Sequence, residues 1–472
     1  MNKKDTKTLV NDNQAFSAFC QVSELLPDSG LDSYVPVFVG QDPILLTRFR
    51  IGEGAAAVIG ACAVAAARIW EKMTGRRQDI SIDVKRAAMS LKSFQFLRVD
   101  GRPFTRDQGD VPTMDLYRAR DDRWIHLHGA FPHLRDGTLK VLGCQNDRRS
   151  IASAVASWDV FALEERLAEA DQCGAVVRSE NEWSIHPQGY AVAHEPLLII
   201  EKIGDGPAMP FTLGDRPLSG IRVLDLTRVL AGPVCARTLS EHGAEVLNIT
   251  SKDLPYMDPF VIDTGHGKRT TFLNLVTPQD KMSLMKLLPK ADVFSQSYRP
   301  GKISALGFSP KLLAEQRPGI ICVSTNCYGH TGPWKNRPGW EQLAQSVTGI
   351  ALKQGTYAAP KIIAAAPSDY ITGYLAALGV MVALQRRADE GGSYVVKASL
   401  CRTAAWLRDL GLTGSMPKKS ISHQDVSYNL IERKTPWGTL GYLPPVAHMS
   451  ETHPRWVLPP TPLGTHPPKW VT

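Results

Sequence analysis

Several familiar signals are missing from this 472-residue sequence. At the first strand-to-helix turn of its α/β half, Gly232 stands without a GxGxxG or GxxxxGK[ST] run, which argues against a plain nicotinamide or P-loop site. Serine-hydrolase elbows of the GxSxG type are also absent. The eight cysteines (Cys20, Cys62, Cys144, Cys173, Cys235, Cys322, Cys327, Cys401) form no CxxC pair, and several lie in apolar helix or strand patterns. They read as buried free thiols in a reducing compartment. The longest apolar run, about Ala55 to Ala67, falls short of the ~20 residues that span a bilayer. Polar, lysine-rich Met1 to Val10 is followed by no signal-like apolar stretch. The expectation is a cytoplasmic protein without a membrane partner. Lys/Arg blocks and aromatic-basic interleaving are also lacking, which excludes a nucleic-acid groove. A net charge of +8 and a pI near 9.0 still favour an anionic partner.

What is present is a globular composition, 43% hydrophobic and 21% charged, in a chain long enough for more than one core. Residues 1–35 are a poorly patterned lead-in. A first lobe spans 36–215, with a helix expected over Gly52 to Met73, closed by Gly75, then a strand at Ile80 to Val84. Trp124 to His128 reads as a strand, and Trp158 to Ala170 and Ser179 to Val192 as helices. Residues 204–218, rich in Gly, Pro and Asp, mark a boundary. Over 216–412, strands at Ile221 to Leu226, Glu245 to Ile249, Thr271 to Leu275, Ala291 to Ser295 and Ile320 to Thr325 alternate with helices. That alternation predicts an α/β fold with a parallel, Rossmann-like sheet. Residues 413–472 are a proline-rich tail, expected to wrap the surface or lack order.

The helix after Pro367-Ser368-Asp369-Tyr370 and the strand that follows reappear, weakened, near the N-terminus. Setting Gly379 on Gly60 places Asp369 opposite Arg50, so one copy carries a carboxylate and the other does not. Asp369 serves equally well as an N-cap or as a catalyst on pattern alone. Small residues behind it (Gly373, Ala376, Ala377) let a backbone or ligand come close. Arg228 lies just past a strand end. Lys268 and Arg269 sit on a glycine-bearing turn, and Tyr298 and Arg299 on another strand's C-terminal edge, where α/β sheets hold ligands. Together they point to a polyphosphate-bearing ligand. Glu341, at a helix start, is accounted for by the helix dipole unless it faces the site. His126, His128 and His133 lack a ligand pattern, so no metal site is expected.

The stretches Gly220 to Pro233, His242 to Ile249, Ala291 to Phe308, Gly329 to Trp334, Gly339 to Ile350 and Ser368 to Gly379 resemble the family III CoA-transferases of the CaiB/BaiF type, in that family's order and near its spacing. The resemblance implies that Asp369 is a covalent nucleophile. It further implies that Arg228, Lys268, Arg269, Tyr298 and Arg299 hold coenzyme A, and that Glu341 is an acidic neighbour of the site. The first lobe resembles the family's small domain, placed here ahead of the sheet domain. That arrangement implies a homodimer or a pseudo-dimer within one chain.

The reaction so implied is transfer of CoA between an acyl-CoA and a carboxylic acid, through acyl-aspartyl anhydride and aspartyl-CoA thioester intermediates. CoA thioester is substrate, and no tightly bound cofactor is expected. N–H donors near Gly373 and the Gly329 turn would stabilise the oxyanions. A 2-methylacyl-CoA racemase is the alternative, but it needs a proton-transfer group where Trp340 stands. A catalytically silent CoA-binding homologue is the third reading.

Overall fold

The structure, a computed structural model, describes residues 13–27, 34–104 and 111–471. Most of the expected lead-in lies outside them; within it, Gln14–Ser23 forms a helix whose Phe19 and Val22 join the core.

The alanine-rich segment forms α1, Ile51–Thr74, buried from Ile51 to Ala67 without interruption. Gly75 ends it at φ 72°, its N–H donating to Glu71 at 2.7 Å, a conformation that glycine reaches without the cost of a Cβ. Next come β1, Ile80–Asp83, and α2, Val84–Ser90. The strand around the paired histidines is β2, Trp124–Leu127. The helix expected over 179–192 is two, Glu180–Ile185 and Pro187–His194, because Pro187 cannot donate to the preceding turn.

The large sheet contains β3 (Ile199–Gly204), β4 (Arg222–Asp225), β5 (Glu245–Thr250), β6 (Lys268–Phe272), β7 (Val293–Gln296), β8 (Ile321–Asn326) and β9 (Ser393–Ser399). Its order is β6-β5-β4-β7-β8-β9-β3, parallel throughout except for antiparallel β3. Strand β6 begins three residues before the expected Thr271. The expected boundary at 204–218 therefore follows a strand that belongs to this sheet, and segment 36–215 does not stand apart. Chain order reverses between β4 and β7, which opens a crevice at their C-terminal ends.

Helix α3, Ala231–Glu241, follows β4. Helix α4, Glu341–Val347, precedes the long helix α5, Pro367–Glu390, which feeds β9 and then α6, Leu400–Asp409. Helices α1 and α5 share one hydrophobic core. Cys62 Sγ meets the Tyr374 carbonyl at 3.2 Å and Gln385 Nε2 reaches Ala65 at 3.5 Å. Contacts advance together along both helices, so the two run parallel. Each has the length and hydropathy to cross a membrane, yet 94% of its apolar window is buried in the protein, and core packing accounts for that composition.

The repeat is visible in three dimensions, with a corrected register. The bounds of α1 and α5 differ by 316 at both ends (367 − 51 and 390 − 74), as do the starts of α2 and α6 (400 − 84). Asp369 thus pairs with Glu53, not with Arg50. A slip of three residues is close to one helical turn. The glycine-on-glycine match therefore keeps the same face inward, and only the element bounds expose the error.

The proline-rich tail is built into the molecule. Ile431–Thr435 and Gly438–Tyr442 form a hairpin that pairs with Arg98–Val99. Farther on, the chain covers the edge strand β6: His466 N donates to Thr270 at 2.8 Å and Gly267 N to Leu458 at 2.9 Å. Covering that edge removes an open row of backbone groups.

Candidate active site

Asp369 is the third residue of α5, whose N-cap is Ala366. It lies inside the first turn and caps nothing with its side chain, which removes the capping alternative. Its backbone N–H donates to Glu341 Oε2 at 2.7 Å, while Gln345 Nε2 donates to Glu341 Oε1 at 2.8 Å. Gln345 in turn accepts from Ile363 N at 2.8 Å. Glu341 and Gln345 are one turn apart on α4 and both buried, so this network fixes the start of α5 against α4.

Two carboxyl residues thus meet at the start of α5, Glu341 buried and Asp369 at the edge of a cavity. Burial lifts Glu341 to about 7, against the N–H bonds from Gln345, Ser368 and Asp369 that favour its charge. Burial, and then the Glu341 charge, push Asp369 well above the usual carboxylate range. Like charges this close cannot both ionise freely. Glu341 receives the N–H donors and keeps its charge more readily; Asp369 is left the more basic of the two.

The Asp369 carboxyl is partly exposed, and it opens into a cavity of about 250 Å³ at the sheet's crevice. Arg228 and Val229 line it after β4, Ser297, Tyr298 and Arg299 after β7, and Thr325 to Cys327 at the end of β8. The first turn of α3 lines it through Ala231 and Gly232. The N–H groups of a first turn have no acceptor within their own helix. Val229 sits at φ 70°, which for a β-branched residue costs of the order of 1–3 kcal/mol. That strained turn carries Arg228 and Val229 onto the cavity wall.

The first segment of the chain closes the cavity. His133, Leu134 and Cys173 line it, and Trp340 is held from behind. The Trp340 ring stacks on buried His128, with centroids 5.0 Å apart and planes at 14°, and Phe131 packs against it at 5.6 Å. His126 faces Ser346 Oγ at 3.1 Å, so two of the three histidines brace α4. Among the described residues, no group of three or more metal-binding side chains occurs.

The structure brings together Asp369, Arg228, Tyr298 and Arg299 on one cavity, with Glu341 directly behind Asp369. Other expected site residues fall elsewhere. Lys268 is buried in an ion pair with Asp225 at 2.8 Å and also donates to the Pro233 carbonyl at 2.8 Å. It lines a smaller adjoining cavity of about 60 Å³ that shares Arg228 and Val229 with the first. Arg269 turns away and donates to the Lys469 carbonyl at 2.7 Å. Gly373 faces α3, where an added Cβ would lie 2.5 Å from the Ala231 carbonyl oxygen; it permits helix contact and offers nothing to the cavity. In the Gly329 turn, Gly329 N donates to Asn326 Oδ1 at 3.0 Å. His330 N and Thr331 N donate to Glu195 at 2.8 and 2.7 Å. Those donors are committed. Glu195, and Gln188, which binds the Tyr328 and Thr331 carbonyls, are given no site role by the sequence, where His186-Pro187-Gln188-Gly189 only resembles a terminal helix motif of the family. Their only signal is polar side chains on a short helix whose partner lies some 140 residues away.

Residues 218–429 match the family model described as CoA-transferase family III. The chain is 34% identical over 319 residues to an acetyl-coenzyme A transferase of Hypoxylon pulicicidum, covering 62% of this chain and 54% of that protein. It is 33% identical over 200 residues to the beta subunit of a succinyl-CoA–L-malate CoA-transferase of Chloroflexus aurantiacus, covering 39% and 49%. The chain spans about half the length of each relative. A crystal structure of a hypothetical protein from Mycobacterium tuberculosis is 29% identical, covering 41% of this chain and 56% of that one, with a TM-score of 0.39.

Proposed function

Residues 218–429 of this chain belong to CoA-transferase family III, an enzyme family, and on that premise we propose that the protein moves CoA from an acyl-CoA to a carboxylic acid with Asp369 as nucleophile. One observation carries the reading: Asp369 is the carboxylate that lines a cavity otherwise bordered by arginines, an aromatic wall and a helix N-terminus.

The Asp369 carboxylate attacks the thioester carbonyl of R–CO–S–CoA. The C–S bond breaks, leaving an Asp369–CO–O–CO–R anhydride and CoA thiolate. The thiolate attacks the aspartyl carbonyl and expels R–COO⁻, giving an aspartyl-CoA thioester. An acceptor carboxylate R′–COO⁻ then attacks that thioester and releases the thiolate, which takes the R′–CO group from the new anhydride. Each step exchanges one activated acyl compound for another, so none is far uphill.

Residues of this chain have distinct parts in that sequence. Glu341 raises the basicity of Asp369 and holds its backbone in place through the 2.7 Å bond. The amides of Ala231 and Gly232 suit the developing oxyanion. Arg228, with Tyr298 and the Asp171-paired Arg299 on the same wall, suits the phosphates and adenine of CoA. His133, Leu134 and Cys173 help keep water from the intermediates.

Incubation with an acyl-CoA followed by intact-mass measurement tests this. A hydroxylamine-sensitive adduct is expected on the wild-type protein and none on Asp369→Ala; CoA exchange persisting in that variant would sink the assignment. Solvent deuterium entering the 2-position of a 2-methylacyl-CoA without CoA exchange would point to racemase chemistry instead.

A further inference from the structure

The cavity has two chemically different ends. Toward β4 and β7 it is cationic, with Arg228, Tyr298 and Arg299. Around Asp369 it is formed by Trp340, Cys327 and Leu400. Cys327 is fully enclosed, its Sγ donating to the Trp340 carbonyl at 3.6 Å and its own carbonyl accepting from Cys401 N at 2.9 Å. The Trp340 ring cannot swing away, since His128 is stacked behind it and Phe131 presses on it. This end of the cavity is held rigid by packed apolar groups, and its nearest cation in the chain, Arg337, is paired with Glu165.

Charge adds a second constraint. The charged neighbour acting on Asp369 is Glu341, which is also negative. His128 supplies no positive charge, because burial keeps its ring neutral, down to about 3. Two of the wall arginines are ion-paired: Arg299 with Asp171, and Arg337 with Glu165 while lying over the Trp334 ring. Arg228 meets the neutral Pro255 carbonyl and the Phe131 ring and keeps its charge, which the CoA phosphates take up in the reading above. A distal carboxylate on the acyl chain would be a third negative group beside Asp369 and Glu341. Such a group, buried without a partner, is strongly disfavoured. An alkyl chain meets no such penalty, and each methylene it buries raises affinity roughly fourfold until the wall is reached.

We propose that the acyl end of this cavity accepts uncharged aliphatic acyl groups and rejects dicarboxylic ones, with Trp340 as the residue that sets acyl size; the proposal rests on the CoA-transfer reading above. Trp340 touches the acyl chain and takes no part in bond making.

The test measures the rate of adduct formation, and kcat/KM for transfer to acetate, with butyryl-, hexanoyl- and succinyl-CoA on the full chain. Butyryl-CoA should exceed succinyl-CoA by roughly 100-fold or more, the expected effect of one unpaired buried charge. Trp340→Ala should raise the hexanoyl-to-butyryl ratio about tenfold while succinyl-CoA stays poor. Trp340→Phe, which keeps an aromatic ring over His128, should shift the ratio in the same direction by less, and it decides the matter if the alanine variant does not fold. Succinyl-CoA equal to butyryl-CoA, or an unchanged length profile in the variants, would overturn the proposal while CoA transfer stands. No adduct from any member of the panel would overturn both.

Discussion

Glu53 and Asp369 hold the same place in two copies of one unit, each the third residue of a 24-residue buried helix. The backbone N–H of Glu53 donates to Asp42 Oδ2 at 2.9 Å, just as that of Asp369 donates to Glu341 Oε2 at 2.7 Å. What separates the copies is a cation. Arg50 Nη1 lies 2.9 Å from Glu53 Oε2, and Glu53 is 1% exposed, so the first carboxylate is neutralised and closed off. Asp369 has a negative neighbour and an open cavity.

Glu53→Gln should therefore leave CoA exchange unchanged while lowering stability by about 1–3 kcal/mol, the cost of leaving half-buried Arg50 without its buried partner. Thermal unfolding and an exchange assay on the same preparation check both halves. A large loss of exchange in a folded variant would contradict the separation of the two copies.

The carboxyl pair makes both rate and stability depend on pH. Attack requires ionised Asp369, so the rate should rise with pH. Glu341→Gln removes the negative neighbour and should move that rise toward acid. Stability should run the other way. An ordinary glutamate titrates near 4.5, and Glu341 is lifted to about 7. Between those values the folded state binds more protons than the unfolded one, so stability falls as pH rises from about 4.5 to about 7, by about 3 kcal/mol from this group. Urea unfolding of wild type and Glu341→Gln across that window should show a shallower slope in the variant.

Arg228 is half-buried and lines both adjoining cavities, whereas Arg299 is one-third exposed and paired with Asp171. Arg228→Ala should raise KM for acyl-CoA by roughly tenfold or more, with a smaller effect on kcat, since it loses a charge-assisted contact. Arg299→Ala should cost only a few-fold, because solvent screens that site. Steady-state kinetics with acyl-CoA varied distinguishes them.

Gly373→Ala places a methyl group 2.5 Å from the Ala231 carbonyl and 2.7 Å from Val234 Cβ. Backbone on that side must move, at about 1–3 kcal/mol. Because Ala231 and Gly232 line the cavity, exchange should drop with stability. A variant as stable and active as wild type would show that α3 yields freely.

Parts of this protein are legible residue by residue. The alternation of strands and helices from Arg222 to Ser399, the alanine-rich α1 and its Gly75 stop follow from propensity and period, which act over a few neighbouring residues. Pattern alone leaves Asp369 even between cap and catalyst, and only the family resemblance points to it as a nucleophile. Lys268 lines only the adjoining cavity and Arg269 faces the tail, because a basic turn reads alike whether its cations face a ligand or are held by Asp225 and by the tail carbonyl at Lys469. The same holds for the Gly329 turn, since its N–H groups are claimed by Glu195, far away in the chain.

By itself the sequence determined the element types, the parallel order of the α/β half and the presence of a repeated helix–strand–helix unit, because local backbone preference and hydrophobic period are properties of adjacent residues. Only the tertiary structure decided which of two equivalent carboxylates is free, which cations reach the cavity, and that Trp340 is pinned by His128 beside Asp369. Those outcomes depend on which distant groups come within hydrogen-bond or ion-pair reach, and burial then fixes their charge.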